Sequence, residues 1–272
     1  MLNKLLKYEF KDTARIIPLL YLIALVFAGI SISASQLGIG WFRETSSLLL
    51  LLLGIAVVII TFVVVVMRFY KNLYSNEGYL MFTLPVKPQS LLVSKTITAL
   101  CWVILSYIIF SGAFCISMYG FGVGLDAVSD IMAELKIMGL QNAIYLLIPM
   151  VLLSTICLIV QIFFAITMSN LSAFSNLGAG AAFLIFIITN IAMQTIEAVF
   201  AIFVPFSVEI NYLGNTGIVV SSKNMFGFIL ESINSTPDSI VIGLGGYIFD
   251  AVAVCVLFYI TGRMMKNRVS IK

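Results

Sequence analysis

The segment from Leu48 to Met67 reads LLLLLLGIAVVIITFVVVVM, twenty residues without a charged side chain. An α-helix rises about 1.5 Å per residue, so about 20 apolar residues cross the hydrocarbon core of a bilayer. Including this segment, six apolar stretches have a suitable length, at roughly 16–35, 47–67, 96–119, 143–168, 178–205 and 240–262. The sequence therefore predicts an all-α, polytopic integral membrane protein with about six transmembrane helices.

The composition agrees with a single transmembrane domain over residues 1–272. Apolar residues make up 61% of the chain, charged residues 10%, and the mean hydropathy is +1.13. A soluble domain of this size would lack the polar residues needed to cover its surface. No stretch of the sequence is long enough for a separate soluble domain.

The residue types that the sequence lacks narrow the classes of function. It has no histidine, which removes most metal sites and Ser/His or Cys/His catalysis. No Gly-Lys dipeptide occurs, so the chain has no Walker A loop for ATP. The cysteines lie in apolar runs without CxxC spacing and are interpreted as packing residues: Cys101, Cys115, Cys157 and Cys255. We expect no enzyme activity, no metal, no cofactor in this chain and no nucleic-acid surface.

The distribution of positive charge predicts the orientation in the membrane. Twelve of the 15 Lys and Arg residues lie before the first span, between the second and third spans, or after the last span. The other three, Arg43, Lys136 and Lys223, lie in connections on the opposite side. Cytoplasmic connections are enriched in Lys and Arg, so both termini and the second-to-third connection are expected in the cytoplasm.

A cleaved signal peptide is an alternative interpretation of the first apolar run, because the small residues Ser33, Ala34 and Ser35 lie near its end. The first fifteen residues are longer and more organised than the basic region that opens a signal peptide. This difference favours a retained span.

Residues 2–15 have the pattern of an amphipathic helix. Lys4, Lys7, Lys11 and Arg15 fall on one face, opposite the side that carries Leu2, Leu5, Leu6 and Phe10. The pattern predicts an interfacial helix in the inner headgroup layer, with its basic stripe near anionic membrane lipid. A basic leader that only sets the topology remains an alternative. Glu9 falls within the apolar arc, which suggests a protein contact at that position.

The connection between the second and third spans is the most informative cytoplasmic segment. The second helix is predicted to continue to about Ser75, and Pro88 suits the first turn of the next helix. Between them, five large apolar residues occupy six positions outside the membrane: Tyr79, Leu80, Met81, Phe82 and Leu84. Glu77 and Gly78 precede this predicted short helix and Pro85 follows it. Such a patch either returns to the membrane interface or docks onto a cytoplasmic partner, and docking is favoured.

Two motifs carry a resemblance to a known family. Lys4 to Lys11 (KLLKYEFK) and Glu77 to Pro85 (EGYLMFTLP) resemble the type-2 ABC permease family of Gram-positive bacteria. The layout of a leader helix, six spans and a long outer connection before the last span is also similar to that family.

The resemblance implies an exporter in the bacterial cytoplasmic membrane, built from two permease chains, identical or homologous, and separate ABC ATP-binding subunits. ATP and Mg²⁺ would be bound by the partner subunit. The leader would be the connecting helix of the family, and its outer re-entrant segment would fall in Phe206 to Ser239. The helix that couples to the ATPase would be formed by Glu77, Gly78, Tyr79, Leu80, Met81, Phe82, Leu84 and Pro85.

Polar residues within the spans are candidates for a translocation path. Asn190, Gln194 and Glu197 are spaced by four and three, so they share a face of the fifth span. Asp250 is predicted near the middle of the last span, where an unpaired carboxylate is costly and faces protein or water. Hydrogen bonding between helices is the alternative for Asn190 and Gln194, and it is favoured for both. For Glu197, near the outer end of its span, the alternative is a water-facing role, and for Asp250 it is a structural role.

The sequence favours a permease subunit that moves a lipophilic or amphipathic substrate, such as a drug, a lipid or an antimicrobial peptide, out of the cell or membrane. An ion-coupled secondary transporter would need acids paired across spans and an internal repeat, and the sequence shows neither. A membrane sensor or scaffold would use the same docking segment without transport. An intramembrane enzyme is disfavoured because no GxSxG motif or paired central acids occur.

Overall fold

A computed structural model of the chain describes residues 2–74, 88–123, 129–130, 133–134, 136, 141–171, 179–211, 217–234 and 239–267. By its internal contacts the chain divides into two compact units. The first unit comprises residues 1–128 together with 271–272, and the second comprises residues 129–270.

The first unit contains a short helix and three long ones. Helix α1 spans Leu2–Thr13, α2 spans Ile17–Leu37, α3 spans Gly40–Tyr74 and α4 spans Pro88–Gly120. The three long helices pack against one another, and α1 packs against α4. The bounds of α3 and α4 agree with the predicted helix end near Ser75 and with the predicted start at Pro88.

Backbone chemistry explains where the first hairpin turns. Pro18 lies in the first turn of α2, where its missing N–H is tolerated, and Gly38 ends this helix with a φ of 71° in the left-handed region. Helix α3 begins two residues later at Gly40. Gly120 at the end of α4 lies against Ser47 near the start of α3. A Cβ on Gly120 would lie 1.7 Å from Oγ of Ser47, so only glycine permits the two helices to approach this closely.

Hydroxyl groups connect the three long helices inside the first unit. The Tyr21 hydroxyl lies 2.9 Å from Oγ of Ser106, which donates to Oγ1 of Thr61 at 2.8 Å. These residues belong to α2, α4 and α3. Polar side chains between membrane helices are stabilised by such bonds because lipid offers no alternative partner.

The second unit combines three long helices with a small sheet. Helix α5 spans Gln141–Ser169, α6 spans Ala179–Phe203, α7 spans Met225–Asn234 and α8 spans Gly245–Asn267. The long helices α5, α6 and α8 pack against one another. Strands β1 (Ser207–Asn211), β2 (Gly217–Ser221) and β3 (Ser239–Gly243) lie between α6 and α8 in the sequence.

The sheet has the order β2-β1-β3, and β1 is antiparallel to both neighbours. Val208 in β1 pairs with Val220 in β2 and with Ile242 in β3. The sequence predicted that the last apolar run is helical from about residue 240. This boundary was wrong, because the β-branched residues of β3 pair with β1 and the helix begins at Gly245.

Glycines permit close packing where β3 and α8 meet α6. A Cβ on Gly243 would lie 2.1 Å from the carbonyl oxygen of Ala201, and one on Gly245 would lie 2.3 Å from that of Phe200. Backbone atoms cannot yield at such distances. The glycines of this segment are therefore packing residues at the sheet end of α6 and α8.

The described part of the chain contains six helices that are long and apolar enough to cross a membrane: α2, α3, α4, most of α5, α6 and α8. Each exposes large apolar side chains, for example Leu25, Leu52, Ile108, Ile148, Ile188 and Val252. In water such a surface would be a severe liability. The predicted all-α polytopic fold is confirmed: the chain is a multi-pass membrane protein, to which residues 206–243 add a small sheet and a helix.

Candidate functional site

The predicted ATPase-coupling segment falls on residues that the structure does not describe. Those residues are Glu77, Gly78, Tyr79, Leu80, Met81, Phe82, Leu84 and Pro85. The described chain stops at Tyr74 in α3 and resumes at Pro88 in α4. The structure therefore describes only the two helix ends that precede and follow the segment in the sequence.

A buried ion pair fixes α1 to α4. The ammonium Nζ of Lys95 lies 2.6 Å from Oε1 of Glu9, and both side chains are almost closed to solvent. Each charge would be costly to bury alone, and the pair satisfies both. The sequence predicted a protein contact at Glu9, and the structure assigns that contact to Lys95 of the same chain.

Two further contacts complete the attachment of α1. Asp12 forms an ion pair with Arg68 near the end of α3, and the Asp12 side chain is mostly exposed. The indole Nε1 of Trp102 in α4 donates to Oγ1 of Thr13 at 2.8 Å, and the ring of Phe10 packs on the same indole. Helix α1 is thus bonded to both helices that flank residues 75–87.

A cavity of about 780 Å³ opens beside α1 in the first unit. Its lining combines basic, acidic and apolar side chains from α1 and the following turn with one residue of α3: Leu5, Tyr8, Glu9, Lys11, Asp12, Ala14, Arg15 and Asn72. In the predicted basic stripe, Lys4, Lys7 and Lys11 are exposed along α1, and Arg15 is exposed in the turn that follows it. This face of the unit offers a charged surface next to the ends of α3 and α4.

Asp250 lies five residues after the start of α8, about 8 Å along the helix axis from the sheet end. The sequence placed Asp250 near the middle of a span that begins at about residue 240; because β3 occupies residues 239–243, Asp250 lies in the second turn of α8. Its side chain is buried, with only 4% of the residue exposed. The thiol of Cys157 in α5 lies 3.9 Å from Oδ1 of Asp250.

Glu197 lies at the same end of the unit, six residues before the end of α6. Its side chain packs against α8, since its Cγ would be 3.0 Å from a Cβ on Gly246. On α8, Tyr247 follows Gly246 directly and Asp250 lies one helical turn after it, so Glu197 lies beside the part of α8 that carries both residues. The structure thus brings together two of the four residues predicted for a translocation path.

The other two path residues behave differently. Nδ2 of Asn190 lies 3.4 Å from Oε1 of Gln161 in α5, so Asn190 links two helices, as the sequence favoured for it. Gln194 is exposed on α6 and makes no hydrogen bond to the described residues. Gln161 is itself buried, and its Nε2 has no partner among those residues.

Sequence reasoning missed Lys95, Cys157, Gln161 and Tyr247. Lys95 was counted only as a topogenic charge, and Cys157 only as a packing residue. A signal for Gln161 was present, because it is an amide in an otherwise apolar span and lies one helical turn from Cys157. Which helices meet at Asp250 cannot be read from spacing along one chain.

Two candidate sites are therefore present in this multi-pass helical membrane protein. The first is the surface formed by α1 with the end of α3 and the start of α4. The second is the acidic cluster, which consists of Glu197, Asp250, Cys157 and Tyr247. The described residues contain no group of three or more His, Cys, Asp or Glu side chains arranged to hold a metal ion. Comparisons with protein-family models, with curated proteins and with solved structures give no match to this chain.

Proposed function

We propose that this chain is the membrane-spanning permease subunit of an ATP-driven ABC exporter in a bacterial cytoplasmic membrane. It would work as a pair of permease chains with a separate ATP-binding subunit that holds ATP and Mg²⁺. The substrate would be lipophilic or amphipathic, and both chain termini would lie in the cytoplasm. Chemistry on ATP belongs to the partner, since this chain has no Walker A loop.

The attachment of α1 is the observation that supports this proposal most. The buried pair of Glu9 with Lys95 fixes α1 to α4, and the pair of Asp12 with Arg68 fixes it to α3. These two helices lead into and out of the segment that carries the motif EGYLMFTLP. A segment that transmits force from an ATPase must be connected to rigidly packed helices, because the movement would otherwise be lost in displacement of those helices.

The charged residues of α1 support a cytoplasmic location for the surface formed by this helix. The exposed basic stripe of α1 suits the anionic headgroups of an inner leaflet. The mostly exposed Asp12 and the cavity beside α1 add a polar surface that a partner protein can contact. We expect the proposed partner to contact α1 in addition to the predicted coupling segment.

Co-purification tests the proposal directly. The tagged chain is extracted from native membranes in mild detergent, and an ATP-binding protein with ATPase activity is expected to accompany it. Changing Tyr79, Leu80 and Phe82 together to Ser is expected to abolish co-purification, because the apolar docking surface is lost.

A matched control changes Leu37, Ile39 and Trp41 together to Ser. These three large apolar residues are exposed where α2 ends and α3 begins, at the end of α3 opposite to Tyr74. Membrane insertion of both triple variants is checked first. Loss of the partner in the control as well, or a wild-type chain that purifies without any ATPase, would refute the proposal.

An ion-coupled secondary transporter is a second candidate, favoured by the packing of Glu197 in α6 against the turn of α8 that precedes Asp250. Acids that face each other between membrane helices are typical of ion relays. Uptake into proteoliposomes separates the two functions. Transport by this chain alone, driven by an ion gradient without ATP, would favour the second candidate.

A further inference from the structure

We propose that the cavity beside α1 binds the headgroup of one anionic phospholipid from the leaflet in which α1 lies. The cavity has a volume of about 780 Å³. Sites for small ligands have volumes of about 300–1,000 Å³, so the cavity is large enough for a headgroup. A basic amphipathic helix alone attracts anionic lipids in general, without a preferred position. The inference is one defined lipid site, and it does not depend on the ABC proposal.

The position of the cavity along α3 corresponds to the depth of the lipid headgroups. Asn72 of α3 lines the cavity and lies five residues after Met67, where the charge-free run from Leu48 ends. Five residues of α-helix rise by about 7.5 Å. A headgroup layer is about 5–8 Å thick, because a hydrocarbon core of about 30 Å lies within a bilayer of about 40–45 Å. A phosphate group in the cavity would therefore lie where phospholipid phosphates lie.

Both acidic side chains of the cavity lining are neutralised within the chain. Glu9 is paired with the buried Lys95 of α4, and Asp12 is paired with Arg68 of α3. Nη1 of Arg68 is buried and has no hydrogen-bond partner among the described residues, so Asp12 does not satisfy the whole guanidinium. The acids of the lining therefore do not repel an anion as free carboxylates would.

Two basic residues of the lining keep an uncompensated charge. Lys11 and Arg15 line the same cavity, and neither takes part in an ion pair among the described residues. A guanidinium can bind two phosphate oxygens at once, and an ammonium adds a point charge. The hydroxyl of Tyr8, also in the lining, can donate to a further oxygen. The surplus of positive charge favours a headgroup with a net negative charge over a zwitterionic one, whose own ammonium it would repel.

Apolar side chains beside the cavity favour a lipid over a free phosphate. Leu5 is part of the lining. From Arg15 the chain continues into α2, and both Ile16 and Leu19 are exposed there. A phospholipid whose phosphate is bound at Arg15 would have its acyl chains next to these residues, and the contact would stabilise the complex. A free phosphate would gain nothing from this apolar surface.

Native mass spectrometry of the purified full chain in a nonionic detergent measures the binding. The probe is dioctanoyl phosphatidylglycerol, and dioctanoyl phosphatidylcholine offers the same acyl chains with a zwitterionic headgroup. We expect one phosphatidylglycerol molecule per chain to bind about tenfold or more tightly than phosphatidylcholine. Glycerophosphoglycerol, which is the same headgroup without acyl chains, is expected not to displace the lipid at equal concentration.

Matched charge variants assign the binding to the cavity. Lys11→Gln combined with Arg15→Gln is expected to weaken phosphatidylglycerol binding about tenfold or more, because both uncompensated cations are lost. Lys4→Gln combined with Lys7→Gln removes the same charge from α1 at positions outside the cavity lining. This control is expected to bind within about twofold of wild type. All four side chains are exposed, and thermal unfolding checks that the variants fold. If the first double variant unfolds, Lys11→Gln and Arg15→Gln alone decide.

Equal weakening by the two double variants would mean that the basic stripe attracts lipid without a defined site, and it would overturn the inference. Equal affinity for phosphatidylcholine, or full displacement by glycerophosphoglycerol, would overturn it as well. The assay contains no partner protein, so its result is separate from that of co-purification. A chain that binds the lipid but purifies without an ATPase would keep this site and reject the ABC proposal.

Discussion

Lys95 and Glu9 are 86 positions apart in the sequence, and their charged groups lie 2.6 Å from each other. Only 4% of the Lys95 side chain and 10% of the Glu9 side chain are exposed. An ion pair so far from water is held by its mutual attraction and by the surrounding packing. Loss of one partner therefore leaves the other charge in an environment that does not solvate it.

We predict that Glu9→Gln and Lys95→Met each destabilise the purified chain by about 3–5 kcal/mol, because each leaves an uncompensated buried charge. The double variant is expected to be closer to wild type than either single variant, since two apolar or neutral groups replace the pair. Thermal unfolding in detergent provides the measurement, and the three variants form a double-mutant cycle.

The ion pair of Asp12 with Arg68 is the internal control for this cycle. Asp12 is 63% exposed, so water weakens its attraction to Arg68, and the Arg68 side chain, 20% exposed, keeps contact with solvent when the pair is broken. Asp12→Asn is expected to change stability by only about 0–1 kcal/mol. Single Glu9 and Lys95 variants as stable as Asp12→Asn would contradict the interpretation of the buried pair.

Glycine substitutions are predicted to have opposite effects at two positions. A Cβ on Gly245 would overlap the carbonyl oxygen of Phe200, so Gly245→Ala is expected to destabilise the second unit by at least about 1–3 kcal/mol. A Cβ on Gly112 in α4 meets nothing within 4 Å, and Gly112→Ala is expected to stabilise by about 0.5–1 kcal/mol. The unfolding temperature is expected to be lower than that of wild type for Gly245→Ala and higher for Gly112→Ala.

Much of the fold could be predicted from the sequence, because the length of an apolar stretch and the residues that begin or end a helix are local properties. Pro88 begins α4 as predicted, and α3 ends at Tyr74, one residue before the predicted position. The sheet was missed for a physical reason. Its three strands are short segments separated in the sequence, and β3 has the same apolar composition as the helix that follows it.

The candidate sites could be predicted only in part. Burying acids in a membrane is costly, which made Asp250 and Glu197 conspicuous in the sequence. Their neighbours Cys157 and Tyr247 are ordinary in composition and become significant only through the packing of α5, α6 and α8. Lys95 was attributed to the positive-inside pattern because a basic residue near a span end usually has that role.

The orientation inferred from the Lys and Arg distribution gives a further prediction. Lys7 in α1 and Lys223 beside the sheet are both exposed. In a chain whose four cysteines are replaced by Ser, Lys223→Cys is expected to react with a membrane-impermeant maleimide in intact cells. Lys7→Cys is expected to react only after the cells are opened. The reverse pattern would mean that the chain is inserted with its termini outside.

The hydrogen bond between Asn190 and Gln161 leads to an asymmetric prediction. Asn190→Leu leaves the buried Gln161 amide without any partner among the described residues and is expected to cost about 1–3 kcal/mol of stability. Gln161→Leu also removes an Nε2 that is buried without a partner in that part of the chain, so it is expected to be neutral or stabilising. The double variant should resemble Gln161→Leu. Thermal unfolding of the three variants in detergent tests this order, and a Gln161→Leu variant less stable than Asn190→Leu would contradict it. If both single variants fold but lose substrate-stimulated ATP hydrolysis in the assembled complex, the pair belongs to the translocation path rather than only holding α5 and α6 together.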